Sequence, residues 1–294
     1  FRMMKMKYIT LLFAFTLSPA QSDDELIRDY YKYDLTEYET LEMDIEFGLG
    51  ELMIRAHDKP KTISGIIEYD PEQTKTEVNF SSSGKKAFLT IDGKTGDVHC
   101  CDDGIDFDDF NLGGDFHNAM EFKLAKEIPT ELQMDFGLGE ANIDITDLSL
   151  SYFELDCGLS DVKLEMDRSN KITCEQVSIS SGLGNFNGYG LGNLNTRKFS
   201  LHVGLGSATI DLRGKFNEDM DLSIEVGLGS LELILPKDVN IKLRVDHSFL
   251  STMDVDGLMS KGKNKYVSNE WKENRPTITG DISVGIGAVD VEVD

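Results

Sequence analysis

The sequence predicts an all-β chain folded as a β-solenoid, a parallel β-helix-like stack of coils of 21–24 residues each. Three observations carry this. A Gly-Leu-Gly-type triplet recurs, the residues on both sides of each triplet alternate apolar and polar, and helical periodicity is absent from the repeat region.

The triplets begin at Gly48, Gly137, Gly158 (as Gly-Leu-Ser), Gly182, Gly204, Gly227 and Gly285 (as Gly-Ile-Gly). Ser248-Phe249-Leu250 fits the same register without glycines. From Gly137 to Ser248 successive starts lie 21, 24, 22, 23 and 21 residues apart, with irregular gaps of 89 residues after Gly48 and 37 before Gly285. Phe199, Leu201 and Val203 lead into one triplet and Ala208, Ile210 and Leu212 leave it, with polar residues between them. Alternation on both sides makes two half-buried strands per repeat. Glycine lets the chain bend sharply between the two strands and lets stacked backbones approach closely. One coil cannot bury its own apolar face, whereas a stack with rungs ~4.8 Å apart can. The central leucines Leu138, Leu159, Leu183, Leu205 and Leu228 are expected to point inward and form one buried corner column, so that Leu205→Asp would bury an unpaired charge.

Residues 1–20 read as a signal peptide. Lys5 and Lys7 precede an apolar run from Tyr8 to Leu17, and Ser18-Pro19-Ala20 supplies small residues for cleavage before Gln21. Ten apolar residues fall short of the ~20 that span a bilayer. Residues 21–130 are expected to be an irregular β segment carrying an acidic loop, with a short helical turn inside 23–31, and residues 131–294 the regular coils continuous with it. Removing residues 1–20 deletes Arg2, Lys5 and Lys7 and no acid, which takes the net charge from −24 to −27. Such a chain repels phosphate backbones and anionic lipid, which argues against nucleic-acid binding and strong anionic-membrane binding. The location expected is extracytoplasmic, in the periplasm or at the cell surface.

Residues 97–117 are dense in Asp, with His99, Cys100, Cys101 and His117 among them. Asp102, Asp103, Asp106, Asp108 and Asp109 are the candidate metal ligands, but their spacing matches neither an EF-hand loop nor a zinc pattern, so a solvated acidic loop is the expectation. Cys157 and Cys174 fall in core columns and read as buried thiols. His57, His202 and His247 have no Gly-x-Ser-x-Gly beside them, and no catalytic residue is assigned. Gly188-Tyr189-Gly190-Leu191-Gly192 lacks the following helix of a dinucleotide site, so no cofactor is expected. Glu140, Asp144, Asp161, Glu165, Asp211 and Glu232 point outward from successive rungs and would keep the sheet soluble, although stacked carboxylates leave room for glycoside chemistry. Asn185, Asn187, Asn193 and Asn195 suggest an asparagine ladder. Lys261, Lys263, Lys265, Lys272 and Arg275 surround Tyr266 and Trp271 in a basic island, expected to be a solvated loop whose Trp packs back on the coil end.

The residues also resemble a known family. Gly48-Leu49-Gly50-Glu51-Leu52, Ile66-Ile67-Glu68-Tyr69-Asp70, Ile128-Pro129, Gly190-Leu191-Gly192-Asn193-Leu194, Leu235-Pro236-Lys237-Asp238 and Tyr266-Val267-Ser268-Asn269 are similar to segments of the bacterial toast-rack proteins, whose domain is related to the C-terminal region of LiaF-like cell-wall-active antibiotic response proteins. The resemblance covers residues 38–294 and implies a β-solenoid-like fold in a cell-envelope setting, with no catalytic residue to carry over. The function expected is an exported, non-catalytic structural or interaction module whose partner is an envelope protein or glycan. The alternatives are a carbohydrate-active β-helix enzyme and a metal-dependent adhesin.

Overall fold

A computed structural model describes residues 26–72, 74–95 and 118–294. The metal candidates Asp102, Asp103, Asp106, Asp108 and Asp109 and the signal segment lie outside the described residues. The chain is all-β. Its strands are β1 (Ile27–Asp34), β2 (Thr40–Ala56), β3 (Thr62–Tyr69), β4 (Thr74–Ser83), β5 (Lys86–Thr95), β6 (Ala119–Leu124), β7 (Pro129–Asp144), β8 (Ser149–Glu165), β9 (Gln176–Tyr189), β10 (Lys198–Asp211), β11 (Met220–Leu235), β12 (Asn240–His247), β13 (Ser251–Val255), β14 (Leu258–Gly262), β15 (Lys265–Ser268) and β16 (Thr277–Val293). They form one mixed 16-stranded sheet. The turn of helix expected within 23–31 is replaced by the edge strand β1, whose alternating Tyr31 and Tyr33 pack against Phe122 and Phe80.

The regular part is β2-β7-β8-β9-β10-β11-β16, all neighbours parallel and in register. Each long strand runs through a glycine corner and so contributes to two walls. Before the corner the inward columns are Ile45–Met134–Leu155–Ile179–Leu201–Ile224–Ile282 and Phe47–Phe136–Cys157–Ser181–Val203–Val226–Val284, and these side chains are buried. After it comes Leu52–Ala141–Val162–Phe186–Ala208–Leu231–Val289, also buried. The third side is made by the returning segments. Ile145, Met166, Leu191, Leu194 and Leu212 point inward there and close the core.

Polar side chains tie the returns together, but not as an asparagine ladder. Asn193 donates from Nδ2 to the Met166 carbonyl (2.9 Å) and accepts from the Lys215 amide (3.2 Å), and the Asn195 side chain accepts from the Asn217 amide. Asn170, which the sequence did not mark out, donates to the carbonyls of Leu150 and Leu194. Asn185 lies on the opposite side and donates to Asp161. The amides bridge to neighbouring backbones because the third side is irregular and leaves carbonyls unpaired by a ladder.

The stacking order departs from chain order at the C-terminal end. β16, with Gly285-Ile286-Gly287, lies directly on β11, and β12 and β13 lie beyond it. The corner expected at Ser248 therefore does not follow the Gly227 corner in the stack. The reason is contact. A Cβ on Gly287 would lie 1.6 Å from the Gly229 carbonyl oxygen, and on Gly285 2.5 Å from that of Gly227. At these two positions glycine is what fits against the preceding corner. Ser248-Phe249-Leu250 instead bulges: His247 pairs with Val284 and Ser251 with Gly287, so three residues oppose two. Phe249 is fully in solvent as a result. At the opposite end β2 is flanked by β5 along one wall and by β6 along the other, and Asn118 sits against its corner, donating from Nδ2 to the Leu49 carbonyl (2.6 Å).

The glycine requirement is testable. Gly206 has φ +144° and a Cβ there would meet the Gly184 carbonyl oxygen at 1.9 Å, whereas the turn glycine Gly84 (φ +61°) has open space around it. Gly206→Ala should lose about 3 kcal/mol or more of unfolding free energy in urea titration, and Gly84→Asn less than about 1 kcal/mol.

Candidate functional site: an exposed aliphatic ladder on the glycine corner

The corner residue between the two glycines does not face the core. In register across the stack run Leu49, Leu138, Leu159, Leu183, Leu205, Leu228 and Ile286. Leu159 is 51% exposed, Leu183 45%, Leu205 40%, Leu228 45% and Ile286 44%, while Leu49 and Leu138 are half-buried. The buried corner column expected from the sequence is thus a ridge of aliphatic side chains on the outside of the bend. The cause is a phase slip. Inward residues are 199, 201 and 203 before the corner but 208 and 210 after it, so the alternation shifts by one at the corner. Counting back from Ala208 puts Leu205 outward. The inner side of so sharp a bend has no room for a leucine, and the outer side has only solvent.

The ladder is flanked by two outward columns. Three residues before the corner leucine stand Glu46, Asp135, Asp156, Ser180, His202, Glu225 and Ser283; two residues after it stand Glu51, Glu140, Asp161, Asn185, Ser207, Ser230 and Ala288. Leu49, Leu138 and Leu159 therefore have a carboxylate on each side, and the later leucines are flanked mostly by neutral groups. Crowding has an electrostatic signature. Partial burial, then the charges of Asp156, Asp44, Glu46 and Glu154, hold the Asp135 carboxyl above the ordinary carboxylate range. Asp44 is raised by partial burial and by Glu46, Glu42 and Asp92.

The other sequence candidates are dispersed. Glu140 pairs in register with Asp161 and Asp144 with Glu165, but Asp211 is held by Arg213 (2.8 Å) and Glu232 accepts from Thr209. Glu140, Asp144, Asp161, Glu165 and Glu232 stand on an open wall, whereas Asp211, expected to point outward, is buried against Arg213. An open depression of about 610 Å3 is lined by Arg197, Lys198, Glu218, Asp219 and Asp221, with Arg197 bridging Glu175 and Glu218. His57 accepts from the Lys59 amide through Nδ1 (2.8 Å), His202 lies 3.5 Å from Glu225, and the His247 backbone pairs with Val284. Cys157 and Cys174 are buried free thiols, each pushed up to about 12 by desolvation. Among the described residues no three His, Cys, Asp or Glu converge as a metal site. The basic island is a correction: Lys261 and Lys265 lie on the β14–β15 hairpin, which pairs with β12 and extends one wall. Trp271 is half-exposed with the Lys242 ammonium 4.7 Å from its ring centre, and Tyr266 packs against the core.

An all-β stack with an exposed corner ridge defines a class, and the comparisons give the family. The model of the N-terminal domain of toast_rack, DUF2154, matches residues 18–187, more than half of the chain. The chain belongs to this toast-rack family. A crystal structure of a candidate cell adhesion protein from Clostridium sporogenes is 17% identical, with a TM-score of 0.49, covering 92% of this chain and 100% of its own. A candidate adhesin from Bacteroides fragilis is 12% identical (TM-score 0.35; 92% and 98% covered), and one from Parabacteroides distasonis 10% identical (TM-score 0.31; 92% and 98% covered). No curated protein matches the chain.

Two outcomes follow. Leu205→Asp should change unfolding free energy by less than about 1 kcal/mol, while Ile210→Asp, on a fully buried position, should cost several kcal/mol or prevent folding. A carboxyl raised in the folded state binds its proton more tightly there than in the unfolded chain, so stability falls as pH rises through the window just above the ordinary carboxylate range. Asp135→Asn should therefore raise Tm at pH 7, and the gain should vanish in melts run at or below the ordinary carboxylate pKa.

Proposed function

We propose that the protein is an exported, non-catalytic interaction module of the bacterial cell envelope, a β-solenoid that presents its corner ladder to a partner. The observation that carries this reading is the row of half-exposed leucines at rung spacing on a chain of net charge −24. A soluble surface this acidic has no need of a contiguous aliphatic ridge, and ridges of this kind mark contact sites. Membership of the toast-rack family and the secretory pattern of residues 1–20 support the envelope setting. In-register carboxylates such as Asp135 and Asp156 favour a second reading, glycoside cleavage, which needs a pair at about 5–10 Å. Their position on an exposed wall, with neither of them lining the open depression at Arg197, favours the module.

The test is co-sedimentation of the mature chain with isolated cell envelopes, beside a reducing-sugar assay on cell-wall polysaccharide. Retention should drop about tenfold in the triple variant Leu159→Ser, Leu183→Ser, Leu205→Ser, whose Tm should stay within a few degrees of the parent. Unchanged retention would remove the ladder from the function. Release of reducing sugar that disappears in Asp135→Asn/Asp156→Asn would make the protein an enzyme.

A further inference from the structure

The ladder is chemically divided. Over its first three rungs each leucine stands between two carboxylates, and neither flanking column holds a lysine or arginine. Over the last four rungs the same columns carry mainly Ser, Asn, His and Ala. A partner for the first half must be apolar along one line and cationic on both sides of it. The spacing narrows the choice further. Rungs repeat every ~4.8 Å. A helix laid along the stack axis brings a side chain back to the same face every ~5.4 Å, whereas an extended strand does so every ~6.7 Å. The helix stays near register over three rungs; the strand slips by more than a third of a rung at each step.

We propose that the acid-bracketed half of the ladder, Leu49, Leu138 and Leu159, docks a cationic amphipathic helix running along the stack axis. This rests on the reading of the ladder as an interaction surface and adds the partner's chemistry. About three turns of helix, roughly 11 residues, span the three rungs. Its leucine-type stripe, at i, i+3 or i+4 and i+7, lies on the ridge, and lysines on either side of the stripe reach the two carboxylate columns with their stems along the ridge flanks. Asp135 and Asp156, and Glu140 and Asp161, stand side by side in register across β7 and β8, and a bound cation relieves their mutual repulsion. A second copy of the same chain is disfavoured, because it would set carboxylates against carboxylates.

The probe is a synthetic Leu/Lys peptide of about 14 residues with leucines at helical spacing, titrated into the mature chain and followed by anisotropy and circular dichroism. Binding with helix gain is expected, weakening as salt rises. Leu138→Ser/Leu159→Ser should weaken it about tenfold, and so should Asp135→Asn/Glu140→Gln/Asp156→Asn, which should also flatten the salt dependence. Phe249→Ser, at an exposed apolar side chain off the ladder, should leave it unchanged. Melts confirm folding of each variant, and the single Leu159→Ser, at the most exposed position of the three, substitutes for any that fails. Equal binding of a scrambled peptide of the same composition would overturn the proposal, since charge alone would then suffice. Binding of a peptide with Glu in place of Lys, lost in the ladder variants, would overturn the cationic partner and leave the ladder reading standing. Ladder-dependent capture by phosphatidylcholine vesicles without peptide binding would do the same and assign lipid. Peptide binding indifferent to every leucine would overturn both.

Discussion

The structure depends on a backbone contact: the Cα of each corner glycine against the carbonyl oxygen of the corner beneath it. Hypothetical Cβ atoms at Gly139, Gly184, Gly206, Gly229 and Gly287 would all lie within about 2 Å of that oxygen, and these glycines adopt positive φ between +126° and +150°. The contact needs both properties of glycine at once, the missing side chain and the left-handed half of conformational space. It fixes where the two walls meet, and it fixes register, because a one-residue slip would set a side chain against a carbonyl and turn every wall column inside out. Gly158-Leu159-Ser160 shows the limit. Ser160 takes the third position and is buried, with φ outside the positive region, while Gly184 above it keeps the clearance.

The outward ladder is a geometric consequence of the same bend. With glycines on both sides, the middle residue stands on the convex edge, and in every corner of the stack it is Leu or Ile. Nothing in the packing of the core asks for that, since the core columns are complete without it. The walls follow ordinary rules of solubility, with Asp, Glu, Ser and Thr outward and ion pairs such as Arg168–Asp147 joining neighbouring returns. The ridge departs from them, and this departure points to function.

Much of this was legible beforehand. Alternation marks the wall columns, Cys157 among them, because an inward strand position tolerates little besides apolar groups, although Asp211 is buried where alternation puts it outward. The glycine corners were legible from their spacing. The outward direction of Leu205 is less legible, because the alternation running up to Val203 and the alternation running on from Ala208 assign it to opposite faces. The position of β16 was hidden for a different reason: rung order is settled by which corner fits against Gly227 and Gly229, and chain order says nothing of that. The acid bracket of the ladder emerges only when residues some 20 apart are set side by side, with Glu46 coming into line with Asp135 across 89. The β14–β15 hairpin is hard to tell from a loop in the sequence because its strands are only five and four residues long.

The placement of β16 bears on how the chain assembles. Strands β2 and β7 to β11 can be laid down one after another as the polypeptide lengthens, each on the edge left by the one before, a zipper of nearest neighbours. At β12 that order breaks. β12 and β13 precede β16 in the chain yet sit on its far side, so the parallel edge of β11 and both of these short strands must wait without their partner until residues 277–293 arrive. Strand β16 is thus an internal one, between β11 and β12. Until residues 277–293 are in place, β11 has an unpaired parallel edge, and an unpaired edge of this kind is prone to association.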